Sequence, residues 1–93
     1  MLKQEPKSII QLVGKPYILE IMESLSRQPR RFVDLSDACR NEKTRTIRLR
    51  DLEGANLVET VSVKVGKRSY IHYRLTDKGA SVLKEIAKIN SAK

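Results

Sequence analysis

The sequence predicts a winged helix-turn-helix. This is a mainly α chain with a small antiparallel β-sheet (α+β), in which a three-helix core carries a β-hairpin wing and terminal helices. Three observations point there. Residues 40–53 read as a helix with Leu49 and Leu52 on one side, and residues 40–50 carry five cations (Arg40, Lys43, Arg45, Arg48, Arg50) against one anion, Glu42. Behind this helix, Val61, Val63 and Val65 alternate with Ser62 and Lys64, and Ile71, Tyr73 and Leu75 alternate with His72 and Arg74, about the cationic turn Gly66-Lys67-Arg68; alternation of this kind marks half-buried strands. Ahead of it, a helical pattern over 33–40 is joined to it by a turn of only a few residues, as in a helix-turn-helix.

Taken in order, residues 1–6 are expected to fray. Ser8 to Val13 reads as a brief helix, ended by Gly14. Pro16 suits the first turn of the next helix, where its missing N–H is not needed. Ile18, Leu19, Ile21, Met22 and Leu25 repeat at helical spacing and put that helix at about 16–27, with Gln28-Pro29 as its stop. Arg30-Arg31-Phe32 is a short extended piece. Val33 to Arg40 reads as a helix with Leu35, Ala38 and Cys39 inward. Asn41 can cap the following helix by accepting a bond from a free backbone N–H. That helix runs to Gly54 or Ala55, and both Gly54 and Asn56 tolerate the left-handed conformation of helix ends. Thr76 caps a final helix through Asn90, whose apolar positions are Val82, Leu83, Ile86 and Ile89.

Ninety-three residues make one domain, 1–93, near the lower size limit for a self-sufficient core. Its core is expected over about 14–76, with segments 6–13 and 77–90 left for dimerisation. The chain is 32% charged, with net charge +8 and a pI near 9.9. Such an excess attracts a polyanion, either nucleic acid or an anionic membrane. No apolar run approaches the roughly 18 residues that span a bilayer, and the N-terminus carries no signal-peptide pattern. No membrane partner is expected. Cys39 is the only cysteine, which excludes an intrachain disulfide and fits a reducing, cytoplasmic setting. Catalysis has no foothold: there is no Ser/His/acid motif, no glycine-rich phosphate loop and no metal-ligand spacing. Neither an enzyme, a cofactor nor a metal is expected. His72, the single histidine, reads as a surface residue, and Cys39 as core filler.

At about 100° per residue, Arg45 and Asn56 fall on the Leu49–Leu52 side of the basic helix, while Lys43, Ile47 and Arg50 point away. Thr44 and Asp51 flank them on one side and Thr46 on the other. A helix in a major groove contacts bases through its N-terminal residues, so Lys43, Thr44, Thr46 and Ile47 are the base-contact candidates. Lysine can pair with guanine acceptors, threonine with several base edges, and isoleucine can meet a thymine methyl. Arg48 and Arg50 are better placed for phosphates. The alternative is a solvated helix whose arginines pair with Asp51 and Glu53. Ile47 favours the DNA reading, being apolar outside the core.

Lys64, Lys67 and Arg68 cluster at the hairpin tip, where cations could straddle a phosphate or enter the minor groove; the other reading is an ordinary polar turn. Arg30 and Arg31 either reach the DNA backbone or face solvent. Ile9, Ile10, Leu12 and Val13, with Val82, Leu83, Ile86 and Ile89, either form a twofold interface or cover the core of their own subunit. Dimerisation is favoured, because one winged helix reads few bases.

Several motifs together resemble the HxlR-type winged-helix transcriptional regulators, near the MarR and ArsR groups. They are Gly14-Lys15, Arg30-Arg31-Phe32, Leu49-Arg50-Asp51-Leu52-Glu53 with Leu57-Val58-Glu59, and Tyr73-Arg74-Leu75-Thr76-Asp77-Lys78-Gly79, and the likeness covers residues 12–88. The resemblance implies a dimeric prokaryotic regulator with the helix near 43–54 in the major groove, the wing around 64–69 beside it, and the terminal segments building the dimer. The sequence departs from the family pattern in three places. Pro16 follows Lys15 where an aromatic residue is usual, Val33 replaces a polar cap, and Arg45 stands where the family commonly has an apolar core residue. Arg45 is grouped with Arg30, Arg31, Arg48 and Arg50 as a DNA-backbone candidate, its guanidinium snorkelling toward DNA.

The expected function is thus sequence-specific binding of double-stranded DNA by a homodimer on an inverted repeat, with no effector identified. The alternatives are a winged helix used for protein–protein contact and a nonspecific architectural DNA-binding protein.

Overall fold

The computed structural model describes residues 5–91. Its elements are α1 (Glu5–Val13), α2 (Ile18–Arg27), a single 3-10 turn (Val33–Leu35), α3 (Glu42–Gly54), β1 (Val58–Val65), β2 (Arg68–Leu75) and α4 (Asp77–Ser91). The core gathers where the apolar spacing put it. Ile18, Ile21, Met22 and Leu25 of α2 meet Leu49 and Leu52 of α3, with Leu35, Cys39, Leu57, Val58 and Leu12 around them.

α1 begins at Glu5, so residues 5 and 6, expected to fray, are helical; residues 1–4 lie outside the described residues. α2 starts at Ile18 rather than at Pro16. The chain must reverse from α1 into α2 within four residues, and it does so through Tyr17, which is left-handed at φ 73°. A non-glycine residue there is uncommon. Pro16 therefore lies in the turn, and the first helical bond runs from the Ile21 N–H to the Tyr17 carbonyl (3.0 Å).

The helix expected over 33–40 is instead the 3-10 turn followed by turns through Ala38. Ala38 and Cys39 both donate to the Leu35 carbonyl (3.1 and 3.0 Å). Leu35 and Cys39, one turn apart, are the only fully buried side chains of this stretch. Asp34, Ser36 and Asp37 compete with helical bonding, and the carbonyls of Phe32, Cys39 and Arg40 are taken by a side chain of α3.

Asn41 caps α3 as expected, its Oδ1 accepting from the Thr44 N–H at 2.9 Å. At the other end Asn56, not Gly54, takes the left-handed conformation (φ 62°). The Leu57 N–H then closes onto the Leu52 carbonyl (2.9 Å), the long bond of a Schellman-type helix end. Thr76 caps α4 through its Oγ1, which accepts from Gly79 N–H (2.9 Å) and donates to the Asn56 carbonyl (2.7 Å), tying α4 to the end of α3.

The strands are longer than the alternation alone marks, and the turn is the two residues Gly66-Lys67, with Gly66 at φ 65°. The register sets which side chains share a face. Val58 opposes Leu75, Thr60 opposes Tyr73, and Val61 opposes His72. Directly opposed residues share a face, so Val61, Val63 and Val65 lie on the face opposite to Ile71, Tyr73 and Leu75. Only the Tyr73–Leu75 face packs on the core; the valine stripe faces away from it. Arg30 exchanges both backbone bonds with Tyr73 (2.9 and 2.7 Å), which adds one residue of a third strand beside β2.

Candidate nucleic-acid interface

α3 presents three different flanks. Leu49, Leu52 and Arg45 face the core. Arg48 and Asp51 face the loop before α2. Lys43, Ile47 and Arg50 face solvent, with Ile47 47% exposed. The loop flank is closed by specific bonds. Arg48 Nε donates to the Pro16 carbonyl at 2.9 Å, and the Asp51 carboxylate stands 3.6 Å from Arg48 and 3.5 Å from Lys15. Thr44 is half-buried, and Thr46 Oγ1 bonds back to the Glu42 carbonyl (2.9 Å). The four base-contact candidates therefore differ in access: Lys43, Thr46 and Ile47 are exposed on α3, and Thr44 sits toward the closed flank.

Arg45 does not snorkel toward DNA. It is 3% exposed. Its guanidinium donates to the carbonyls of Cys39 (2.8 Å), Arg40 (3.0 Å) and Phe32 (3.2 Å) and lies 4.6 Å from the centre of the Phe32 ring. A buried guanidinium is tolerated only when its donors are satisfied, and the 32–40 segment, whose only helical piece is one 3-10 turn, supplies the carbonyls. The signal was in the sequence, since the helical angle puts Arg45 beside Leu49; what its donors would bond was not.

Other backbone candidates are also engaged within the chain. Arg30 Nε donates to the Ser24 carbonyl (3.3 Å). Arg31 pairs with Asp34 (3.5 Å) and lies over the Tyr70 ring at 5.0 Å. Arg48 is held by Pro16 and Asp51, as above. Arg50 alone of the five is exposed, with no bond or ion pair among the described residues. In the wing, Lys64, Lys67 and Arg68 are all exposed.

The inner face of the wing stands beside α3. Tyr73 on that face has a pKa raised above 10.0, first by burial and second by the negative charge of Glu53 near the C-terminal end of α3. Thr60, Ser62 and Lys64 continue the same face toward the tip. His72 is half-buried on the other face, its Nδ1 3.1 Å from the Tyr70 carbonyl. Cys39 is buried, as expected. Among the described residues no cluster of His, Cys, Asp and Glu could hold a metal, and no helix is long and apolar enough to cross a membrane.

The dimer candidates divide. Leu12 belongs to the core of its own subunit, because the short α1–α2 reversal turns it inward; Val13, Val82 and Leu83 pack partly against the same core. Ile9 and Ile86 are half-buried. Ile10 and Ile89 remain 69% and 72% exposed.

A family model described as HxlR-like helix-turn-helix matches residues 12–92. No curated protein sequence matches the chain. Solved structures do. The reduced form of the transcriptional regulator YodB from B. subtilis superposes with a TM-score of 0.82 at 24% identity, covering 98% of this chain and 90% of that one. Diamide-treated YodB gives 0.75 at 26% identity, with 95% and 91% covered. A homodimeric winged helix-turn-helix DNA-binding domain from Mycobacterium bovis gives 0.72 at 18% identity, with 92% and 78% covered.

Proposed function

The chain belongs to the HxlR-like helix-turn-helix family, a family of DNA-binding transcription regulators, and on that premise we propose that it is a cytoplasmic, non-enzymatic regulator that binds an inverted-repeat operator as a homodimer. The observation that carries this reading is the sorting of cations. On α3, Arg48 on the loop flank and Arg45 in the core are engaged within the chain, whereas Lys43 and Arg50 on its outer face, and Lys64, Lys67 and Arg68 on the wing, are exposed and without ion partners among the described residues. The ion pair within α3, Arg48–Asp51, lies on the loop flank and leaves these outer cations unpaired.

α3 then enters the major groove with Lys43, Thr46 and Ile47 toward base edges, and Thr44 at the margin. Lys43 suits guanine acceptors and Ile47 a thymine methyl. Arg50 and the wing cations take phosphates of the flanking backbone or minor groove. Phosphate contacts carry most of the affinity, so binding falls steeply with salt. The exposed Ile10 and Ile89 support a second copy covering the terminal helices, and the homodimeric Mycobacterium bovis domain is consistent with that arrangement.

The test is selection of bound sequences from a random duplex pool at near-physiological salt. An enriched inverted repeat, with half-sites about one helical turn or a multiple apart, supports the proposal. Binding without enrichment replaces it with an architectural role, and no binding replaces it with a protein-partner module.

A further inference from the structure

Arg40 precedes the cap of α3. It is exposed, and no acid or carbonyl holds its guanidinium among the described residues. It stands two residues ahead of Glu42, the first residue of α3, at the end of the helix from which Lys43, Ile47 and Arg50 are exposed. Its backbone is not free. Arg45 Nη2 donates to the Arg40 carbonyl (3.0 Å) and Arg45 Nε to the neighbouring Cys39 carbonyl (2.8 Å), while Nη1 reaches Phe32 (3.2 Å). One buried, permanently charged group thus fixes the segment that carries Arg40 to the helix that carries Lys43 and Arg50.

We infer that Arg40 is a phosphate contact at the leading edge of the DNA-binding face and that Arg45 is the positioning residue that holds it there. This rests on the DNA-binding reading above. A guanidinium suits phosphate through its planar fork. An arginine in a non-helical segment loses that geometry when its backbone wanders, and the three carbonyl bonds of Arg45 prevent this. The buried residue therefore acts on DNA without touching it.

The experiment measures binding of the full chain to a fluorescent random-sequence duplex across a salt series. This probe suffices because phosphate contacts are sequence-independent. Arg40→Ala is expected to weaken binding roughly tenfold and to lower the slope of log affinity against log salt by about one. Arg45→Met, with its circular dichroism unchanged, is expected to show the same loss, and the double variant to be no weaker than Arg40→Ala alone, the non-additivity of two residues acting through one contact. If Arg45→Met does not fold, Arg45→Lys decides; it keeps the charge but cannot span three carbonyls. An unchanged slope in Arg40→Ala, with a lowered slope in Arg68→Ala, overturns the Arg40 contact while the DNA reading stands. Additive losses overturn the positioning role of Arg45. Failure of the unmodified chain to bind any duplex overturns both this inference and the reading beneath it.

Discussion

Arg48 of α3 donates its Nε–H to the backbone carbonyl of Pro16, 32 residues earlier, at 2.9 Å. The bond joins α3 to the strained reversal between α1 and α2, where Tyr17 is left-handed. Asp51 reinforces it by standing within 3.6 Å of both Arg48 and Lys15. An arginine that composition alone would assign to DNA is thereby engaged in orienting the helix.

Arg48→Ala should accordingly lower stability by about 1 kcal/mol, the net worth of such a bond. The expected result in urea denaturation is a lower midpoint with an unchanged slope. Its salt dependence of DNA binding should stay that of the unmodified chain; a slope reduced by about one would reassign Arg48 to a phosphate.

Ile47 and Arg68 should separate reading from holding. Ile47→Ala removes the apolar group proposed to meet base edges and should change which sequence is enriched from a random pool. Arg68→Ala should weaken all sequences alike and reduce the salt slope by about one. An Ile47→Ala variant with unaltered preference would mean that α3 does not read bases at this position.

Gly79 lies where α4 meets the end of α3. A Cβ there would collide with the Leu57 carbonyl, a backbone atom that also accepts from Thr76 N–H. Gly79→Ala should destabilise by roughly 2 kcal/mol through overpacking, although the same change in an open helix would stabilise. Thermal unfolding measures the sign, and a raised midpoint would show that α4 can move away from Leu57 at little cost.

Tyr73 sets an alkaline limit. Burial, and then the charge of Glu53, raise its pKa above 10.0 in the folded state. The unfolded tyrosine therefore loses its proton first as pH rises, so this contribution is complete below about 10 and is lost as pH climbs through the folded value. Ultraviolet titration should show one phenol ionising late, absent in Tyr73→Phe. If the late phenol persists in that variant, the assignment to Tyr73 fails.

Much of this was legible because some residues face one constraint only. Ile18, Ile21, Met22 and Leu25 are apolar at helical spacing, and all four are buried. Asn41 and Thr76 cap because short polar side chains there have a free N–H within reach. The wing was legible as strands, but alternation does not say which face is inward; the two-residue turn sets the register and puts Val61 and Tyr73 on opposite faces. Arg45 was legible as core-facing by angle. Its partners were not, because they are backbone carbonyls of a segment that its own side chain helps to keep out of a helix.

The terminal helices carry the last prediction. Leu12 is covered within the subunit, so an interface must rest on what α1 and α4 leave outside, above all Ile10 and Ile89 at 69% and 72% exposure. Exposed isoleucines on both terminal helices are costly to leave in water, and burying one fully is worth about 1.5–3 kcal/mol. A twofold contact presents each of them twice, so one substitution acts on both halves of the interface. Ile89→Glu is therefore expected to shift sedimentation from dimer to monomer at micromolar concentration while the fold persists, because Ile89 makes no part of the core. Affinity for an inverted repeat should fall far more than affinity for a single half-site, since a monomer loses the second recognition helix but keeps its own. A variant that remains dimeric would move the interface away from the end of α4, and a chain that sediments as a monomer before any substitution would remove the inverted repeat from the proposal altogether.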